Sequence, residues 1–333
     1  MYRYRGSRRQ SVNRKIRLGV GILCMAAAVG MFGCAKKTAV QEEMKTVEKE
    51  YSKGQVMVVA ATERNRYQNV YTSRLWKVQA DSSGITFEDK LTKQIEQFLT
   101  ELAVINLMAD EKNVELTGQE KDALKNLSQE YYRSLLPDDQ EYMDVSEEEV
   151  YRLYCEYYRA DKLVKEMTEG EDLEVSDAEA KVIQIQQIAL EDATEAQRVL
   201  EQVRGEKADF GSIASRNSKE GQINHTLEWS EDMDILGQEA FGLEQDEISD
   251  VVEKEGKFYI LKCINAYDSQ ATMERKSQLS REKKTQAFLS FYEPFIKTHQ
   301  VKLKGNIREM IDFSEGERCE SDHFFQLYQS YFN

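Results

Sequence analysis

The spacing of apolar positions changes along the chain, and each change predicts an element. From Thr86 the residues Leu91, Ile95, Phe98, Leu102, Ile105 and Ala109 recur at intervals of four and three, one face of a helix. Thr86 with Asp89 three residues on reads as its capping box. Thr117 with Glu120, Ser146 with Glu149 and Ser176 with Glu179 repeat that signature. Leu124, Leu127 and Tyr131 follow the second box, and Val150, Leu153, Tyr154, Tyr157 and Tyr158 follow the third. A helical bundle is therefore predicted over 86–177. At Lys181 the period falls to two. VIQIQQIAL (Val182 to Leu190) is β-branched and alternating, a strand. Ala196, Val199, Leu200 and Val203 mark a helix stopped by Gly205, and Phe210, Ile213 and Ala214 a second. LEWS (Leu227 to Ser230) reads as a strand after a loop, and Ala240 and Phe241 belong to a third short helix. Ile248 to Val252 and Lys257 to Cys263 are two strands joined by a tight charged turn. The order is β-α-α-β-α-β-β.

Past Tyr267 the pattern is helical again, with Leu279, Phe288, Phe291, Tyr292, Phe295 and Ile296 in a long charged helix. VKLKGNI (Val301 to Ile307) reads as a strand, and so does VMVVAA (Val56 to Ala61). Pairing these two predicts one domain built from both ends of the chain around an inserted one. The fold class is α+β, with a helical region over 56–177, the insert over 178–268, and 269–333 packing back on the first region. The aromatic stretch FFQLYQSYF after Phe313 receives no assignment. The tyrosines Tyr131, Tyr132, Tyr142, Tyr151, Tyr154, Tyr157 and Tyr158 admit two readings: the core and rim of amphipathic helices, or an aromatic surface that holds other chains.

The amino-terminal residues precede any fold. Met1 to Arg17 carries seven Lys/Arg and no acid, and Leu18 to Gly33 is an uncharged apolar run. That pattern is a secretory signal, with an uncleaved anchor as its alternative. MFGC resembles the lipobox of bacterial lipoproteins, with Met31 and Phe32 departing from the usual residues. The resemblance implies a signal peptide over 1–33, lipidation of Cys34, a tether over 34–55, and a chain held at the extracytoplasmic face of a cell membrane. The formal net charge is −15, and loss of the basic leader leaves the remainder more acidic still. A surface of that sign argues against nucleic acid as a partner. Cys155, Cys263 and Cys319 are odd in number and widely spaced, with neither disulfide framework nor zinc spacing. No metal or cofactor is expected. With only two prolines and 32% charged residues, the chain has few breakers and favours long helices.

Within 181–268 several segments match one family in order. IQQIAL lies where that family has its first strand, and EAQRVLEQVRGEKADFGSIASRNS resembles its two-helix stretch. LEWS, EAFGLEQDEISDVV and KFYILKC follow in sequence. Together they resemble the parvulin family of peptidyl-prolyl isomerases. The wider layout of lipobox, helical region, insert and carboxy-terminal helix resembles the PrsA-type foldase lipoproteins, with SurA-like relatives. The resemblance implies a chaperone-like helical region and unfolded or nascent secreted polypeptides as partners.

It also implies a pocket at Gln187, Glu220, Met233, Leu236 (or Ile235) and Tyr259. The parvulin family usually has His on the first and last strands, where this chain has Gln187 and Tyr259. Glu228 stands for the glycine before Trp229, and Val251 for a proline. Prolyl isomerisation breaks no covalent bond. Its barrier of about 20 kcal/mol is lost amide resonance, lowered by an apolar slot for the ring over a polar floor. Gln and Tyr can still hydrogen-bond, but Leu offers no flat ring face. A parvulin fold with weak or absent isomerase activity is expected. The alternatives are an active isomerase with an altered pocket and a non-catalytic scaffold for one partner. His225 is placed in a polar loop, and His299 and His323 outside the insert.

Overall fold

Three of the four predicted capping boxes start helices. The computed structural model describes residues 44–332, so Cys34 and the apolar leader lie outside the described residues. The Thr86 hydroxyl accepts the Asp89 N–H at 3.1 Å at the head of α2, Phe87–Glu111. Thr117 starts α3, Gly118–Ser134, and Ser146 starts α5, Glu147–Met167, in the same way. Between them Pro137 opens the short α4, Pro137–Met143. The predicted face of α2 is buried from Leu91 to Ala109. The fourth box differs. Ser176 and Glu179 exchange both hydrogen bonds, but only a turn follows, so the helical prediction fails over 168–177.

Val56 to Ala61 is not a strand. It lies inside α1, Lys53–Gln68, which opens on a box of its own: Ser52 accepts the Gln55 N–H at 3.2 Å, and the Gln55 amide oxygen takes the Ser52 N–H at 3.1 Å. Every residue from Gly54 to Asn65 is buried, so the helix has no wet face and no amphipathic period. Gly54 is required where α1 meets the α4–α5 connection, because a Cβ there would stand 2.9 Å from the Val145 Cα.

The carboxy-terminal strand exists, with another partner. β6, His299–Lys304, pairs in parallel with β1, Lys45–Glu50, from Lys45 opposite His299 to Glu50 opposite Lys304. Part of the stretch predicted as tether, 34–55, is therefore built into the fold. Beyond α9, Ser269–Ile296, and the short α10, Ile307–Met310, the unassigned aromatic stretch forms α11, Phe324–Phe332. Phe324 stacks on Tyr154 at 4.1 Å, and Tyr328 meets Tyr157 edge-on at 4.7 Å. Tyr131, Tyr154 and Tyr157 are buried. Tyr132, Tyr142, Tyr151 and Tyr158 are partly buried against the same core, so the stretch forms the core and rim of amphipathic helices.

Contacts divide the chain into two compact units: Glu171–Lys284, and the remainder up to Gly170 with Thr285–Asn333. In the first, β2 (Val182–Leu190), α6 (Ala193–Val203), α7 (Phe210–Asn217), β3 (Asn224–Glu228), α8 (Ile235–Gly242), β4 (Val252–Lys254) and β5 (Lys257–Asn265) follow the predicted order. The sheet runs β3-β2-β5-β4, antiparallel throughout. Alternation of side chains splits its two faces. Ile188, Leu190 and Ile260 pack with Val199, Leu200 and Phe210 of α6 and α7. Ile183, Ile185, Ala189, Tyr259 and Leu261 face the other way, with Ala240 of α8. The charged turn between β4 and β5 puts Glu255 at φ 53° and Gly256 at φ 76°. Two positive φ values in a two-residue hairpin match the strand twist, and glycine adopts one at no steric cost.

Candidate functional site

The second face of the sheet carries the predicted pocket. Gln187 lies there between Ile185 and Ala189, half-buried. The loop after α7 is tied to β2 on both sides of it. Lys219 N–H donates to the Ala189 carbonyl at 2.8 Å, and Gln187 N–H donates to the Ile223 carbonyl at 2.8 Å. The Ser218 hydroxyl accepts the Ala189 N–H at 3.1 Å and the Glu220 N–H at 3.3 Å. Held this way, Glu220 accepts the Gln187 side-chain amide at 3.1 Å. Its other carboxylate oxygen accepts from Lys257 Nζ at 3.3 Å. That hydrogen bond holds the Lys257 ammonium above the usual lysine range.

Tyr259 pairs with Ala189, and Gln187 with Leu261. Tyr259 and Gln187 are therefore diagonal neighbours on one face, about 7–8 Å apart. The two are brought to the same floor, with no hydrogen bond between them. Tyr259 is buried, with its ring in the apolar cluster beside Leu236.

Lys254 stands directly opposite Lys257 across the hairpin. Like charges in that position repel. Each is offset by a carboxylate from a different loop, Lys257 by Glu220 and Lys254 by Asp234. Asp234 is also the N-cap of α8, accepting the Gly237 N–H at 2.9 Å. The ion pair therefore ties the loop carrying Met233 to the hairpin. Met233 lies over the first turn of α8, where a Cβ on Gly237 would come within 3.1–3.3 Å of its side chain. Leu236 packs inward, whereas Ile235 is 53% exposed, so of the two only Leu236 belongs to the apolar cluster.

Lys254, Lys257 and Asp234 were not foreseen as parts of this site. Their signal was present as the charged turn "EKEGK" and as an aspartate three residues before a glycine. His225 corrects another expectation: it lies on β3 opposite Ile185, not in a loop, and its ring nitrogen meets the Gln222 carbonyl at 3.2 Å. A surface depression lined by Ala214, Ser215, Ser218, Lys219 and Glu220 lies nearby, but contains neither Met233, Leu236 nor Tyr259. Among the described residues no group of His, Cys, Asp and Glu could hold a metal ion.

Chemically, the arrangement offers an amide donor held by a carboxylate, a tyrosine, and an apolar cluster that includes Leu236 and Phe241. It holds no nucleophile beside a base. It can hydrogen-bond a peptide backbone and cover a proline ring.

Residues 181–265 match the family described as Rotamase, PPIC-type PPIASE domain. This part of the chain is a parvulin-type domain. No curated protein matches the chain. Among solved structures, the foldase protein PrsA of Streptococcus pneumoniae is 19% identical, with 70% of this chain and 96% of that one covered and a TM-score of 0.29. The peptidylprolyl isomerase PrsA of Bacillus cereus is 19% identical, with 75% and 99% covered and a TM-score of 0.32. PrsA from Bacillus subtilis is 17% identical, with 70% and 97% covered and a TM-score of 0.26.

Proposed function

We propose that this chain is an extracytoplasmic folding factor, held at a membrane by a lipid on Cys34. Its helical unit binds unfolded secreted polypeptides. Its parvulin-type domain binds Xaa-Pro segments, with weak or no isomerase activity. The observation that carries the reading is the floor of the site. Gln187 and Tyr259 occupy the two strand positions, and Gln187 is held by Glu220 at 3.1 Å. Acceleration needs the twisted amide held better than either planar form, and Gln187 and Tyr259 stand where parvulin isomerases usually have His. Leu236, at the position the resemblance gives to the pocket Phe, supplies apolar area without a ring face, with Phe241 in the same cluster. The basic and apolar leader supports export, and among the described residues no helix is long and apolar enough to cross a membrane.

Two measurements test the proposal. Protease-coupled isomerisation on several Xaa-Pro peptides should show little or no acceleration, while the same peptides bind with micromolar to millimolar affinity. Membrane fractionation should find the chain with membranes and the Cys34→Ala chain released. Strong acceleration would sink the first claim, and unchanged fractionation the second. One observation favours the alternative of an active isomerase with an altered pocket: the Gln187–Glu220–Lys257 chain of hydrogen bonds is complete, and an intact polar floor is what catalysis would need.

A further inference from the structure

Exposed apolar side chains of the helical unit include Met44, Val47, Leu136, Phe291 and Tyr331, and four more lie together in the excursion between α1 and α2. Val70 is 73% exposed, Tyr71 52%, Val78 53% and Ile85 44%. The excursion is not frayed. Trp76 anchors it from the inside, 4.9 Å from the Phe313 ring and 5.7 Å from that of Phe87, with its indole N–H donating to Gln68 at 3.0 Å. The outer part is a short ribbon, where the Ala80 N–H donates to the Ile85 carbonyl and the Phe87 N–H to the Val78 carbonyl, both at 2.8 Å. The fold holds these side chains in water, against the usual drive to bury them.

Their electrostatic setting is opposite to that of the chain. The net charge is −15, yet 69–86 carries Arg74 and Lys77 against a single acid, Asp81, whose carboxylate accepts the Ser83 N–H at 2.8 Å. Arg74 and Lys77 are exposed, and neither makes an ion pair among the described residues. Unpaired cations between exposed apolar side chains suit a ligand that is both acidic and apolar.

Two ligands fit that chemistry, an unfolded acidic polypeptide and an anionic lipid surface, and the fold sets the excursion away from the amino-terminal entry. The excursion is bonded to the first residue of α2, while Lys45, where the described chain enters, pairs with Glu111 at the last. A helix of 25 residues spans about 37 Å. A chain held by its amino-terminal end presents this surface at the end of α2 remote from its entry point.

We propose that the excursion over 69–86 is where the helical unit docks extended polypeptide segments rich in acidic and apolar residues. The proposal rests on the folding-factor reading and gives it a place and a preference. Such docking weakens with salt, because its charged part is exposed.

The test uses the full chain reconstituted into phosphatidylcholine vesicles, with or without phosphatidylglycerol. The probes are reduced carboxamidomethylated α-lactalbumin, which is acidic, and reduced carboxamidomethylated lysozyme, which is basic. Binding is read by fluorescence anisotropy, and contact by hydrogen exchange of 69–86. The acidic probe should bind more tightly and protect 69–86. R74E/K77E and V70S/Y71S/V78S should each weaken binding on the order of tenfold with circular dichroism unchanged. Both sets lie on the surface, so failure to fold does not confuse the result. If wild type binds the probe and both variants bind equally well, the docking surface is overturned while the folding-factor reading stands. If phosphatidylglycerol alone protects 69–86, the surface is a lipid contact and the proposal is overturned. If wild type binds neither probe, both readings fall.

Discussion

Glu101 on α2 provides a quantitative test of how the helical unit is built. It is half-buried, with one hydrogen bond from the Gln97 side chain at 3.3 Å. Burial pushes its carboxyl from the ordinary 4.5 up to about 7. Between those values the folded chain holds a proton that the unfolded chain has released, so stability falls as pH rises through that window. At about 1.4 kcal/mol per pH unit the full displacement is worth roughly 3 kcal/mol, and partial contact with water trims it to roughly 2 kcal/mol. Glu101→Gln keeps the shape and the Gln97 partner but removes the titration. The variant should match wild type near pH 4 and exceed it by roughly 2 kcal/mol at pH 8. The assay is urea unfolding at a series of pH values, followed by Trp76 fluorescence in a Trp229→Phe background, which isolates the helical unit. Equal pH slopes for variant and wild type, or a wild-type stability that rises more than the variant's between pH 5 and 7, would refute the reasoning.

Three further predictions follow from single contacts. In the parvulin-type domain the buried Ser249 hydroxyl accepts the Leu261 N–H at 2.9 Å. Ser249→Ala strands that donor and should cost about 1–3 kcal/mol in that domain's denaturant midpoint, and an unchanged midpoint would contradict it. Gly237→Ala improves helix propensity but pushes Met233 off α8, so stability should hold while Xaa-Pro peptide affinity drops severalfold by calorimetry. At Gly316 φ is 66° and a Cβ would stand 2.2 Å from Tyr142 Cδ2, so Gly316→Ala should destabilise the helical unit by more than about 2 kcal/mol in the Trp76 assay.

What the sequence could reveal depended on whether an element keeps one wet face. α2 and α5 do, and their spacing and capping boxes were legible from Thr86 and Ser146. α1 does not, because Gly54 to Asn65 is buried on every side, and VMVVAA passed for a strand. Its Ser52–Gln55 box was the only cue. β1 fails for the opposite reason. KTVEKE is exposed along nearly its whole length, so nothing separates it from a charged tether except the partner β6, over two hundred residues away. The insert was legible because its sheet has two apolar faces, each matched by helices near in sequence. Gln187 and Glu220 were foreseen as pocket residues, but their contact depends on the Ser218 hydrogen bonds that fold the loop. Leu236 and Ile235 could be separated only once the Asp234 cap fixed the phase of α8.

The measurement that tests the central claim most directly is protease-coupled prolyl isomerisation by the full chain across several Xaa-Pro peptides, run beside calorimetric binding of the same peptides. Binding that Gln187→Ala weakens is expected, with isomerisation at or near the uncatalysed rate. Strong acceleration abolished by Gln187→Ala or Glu220→Ala would contradict it, and would show that an amide and a tyrosine on this floor suffice for catalysis.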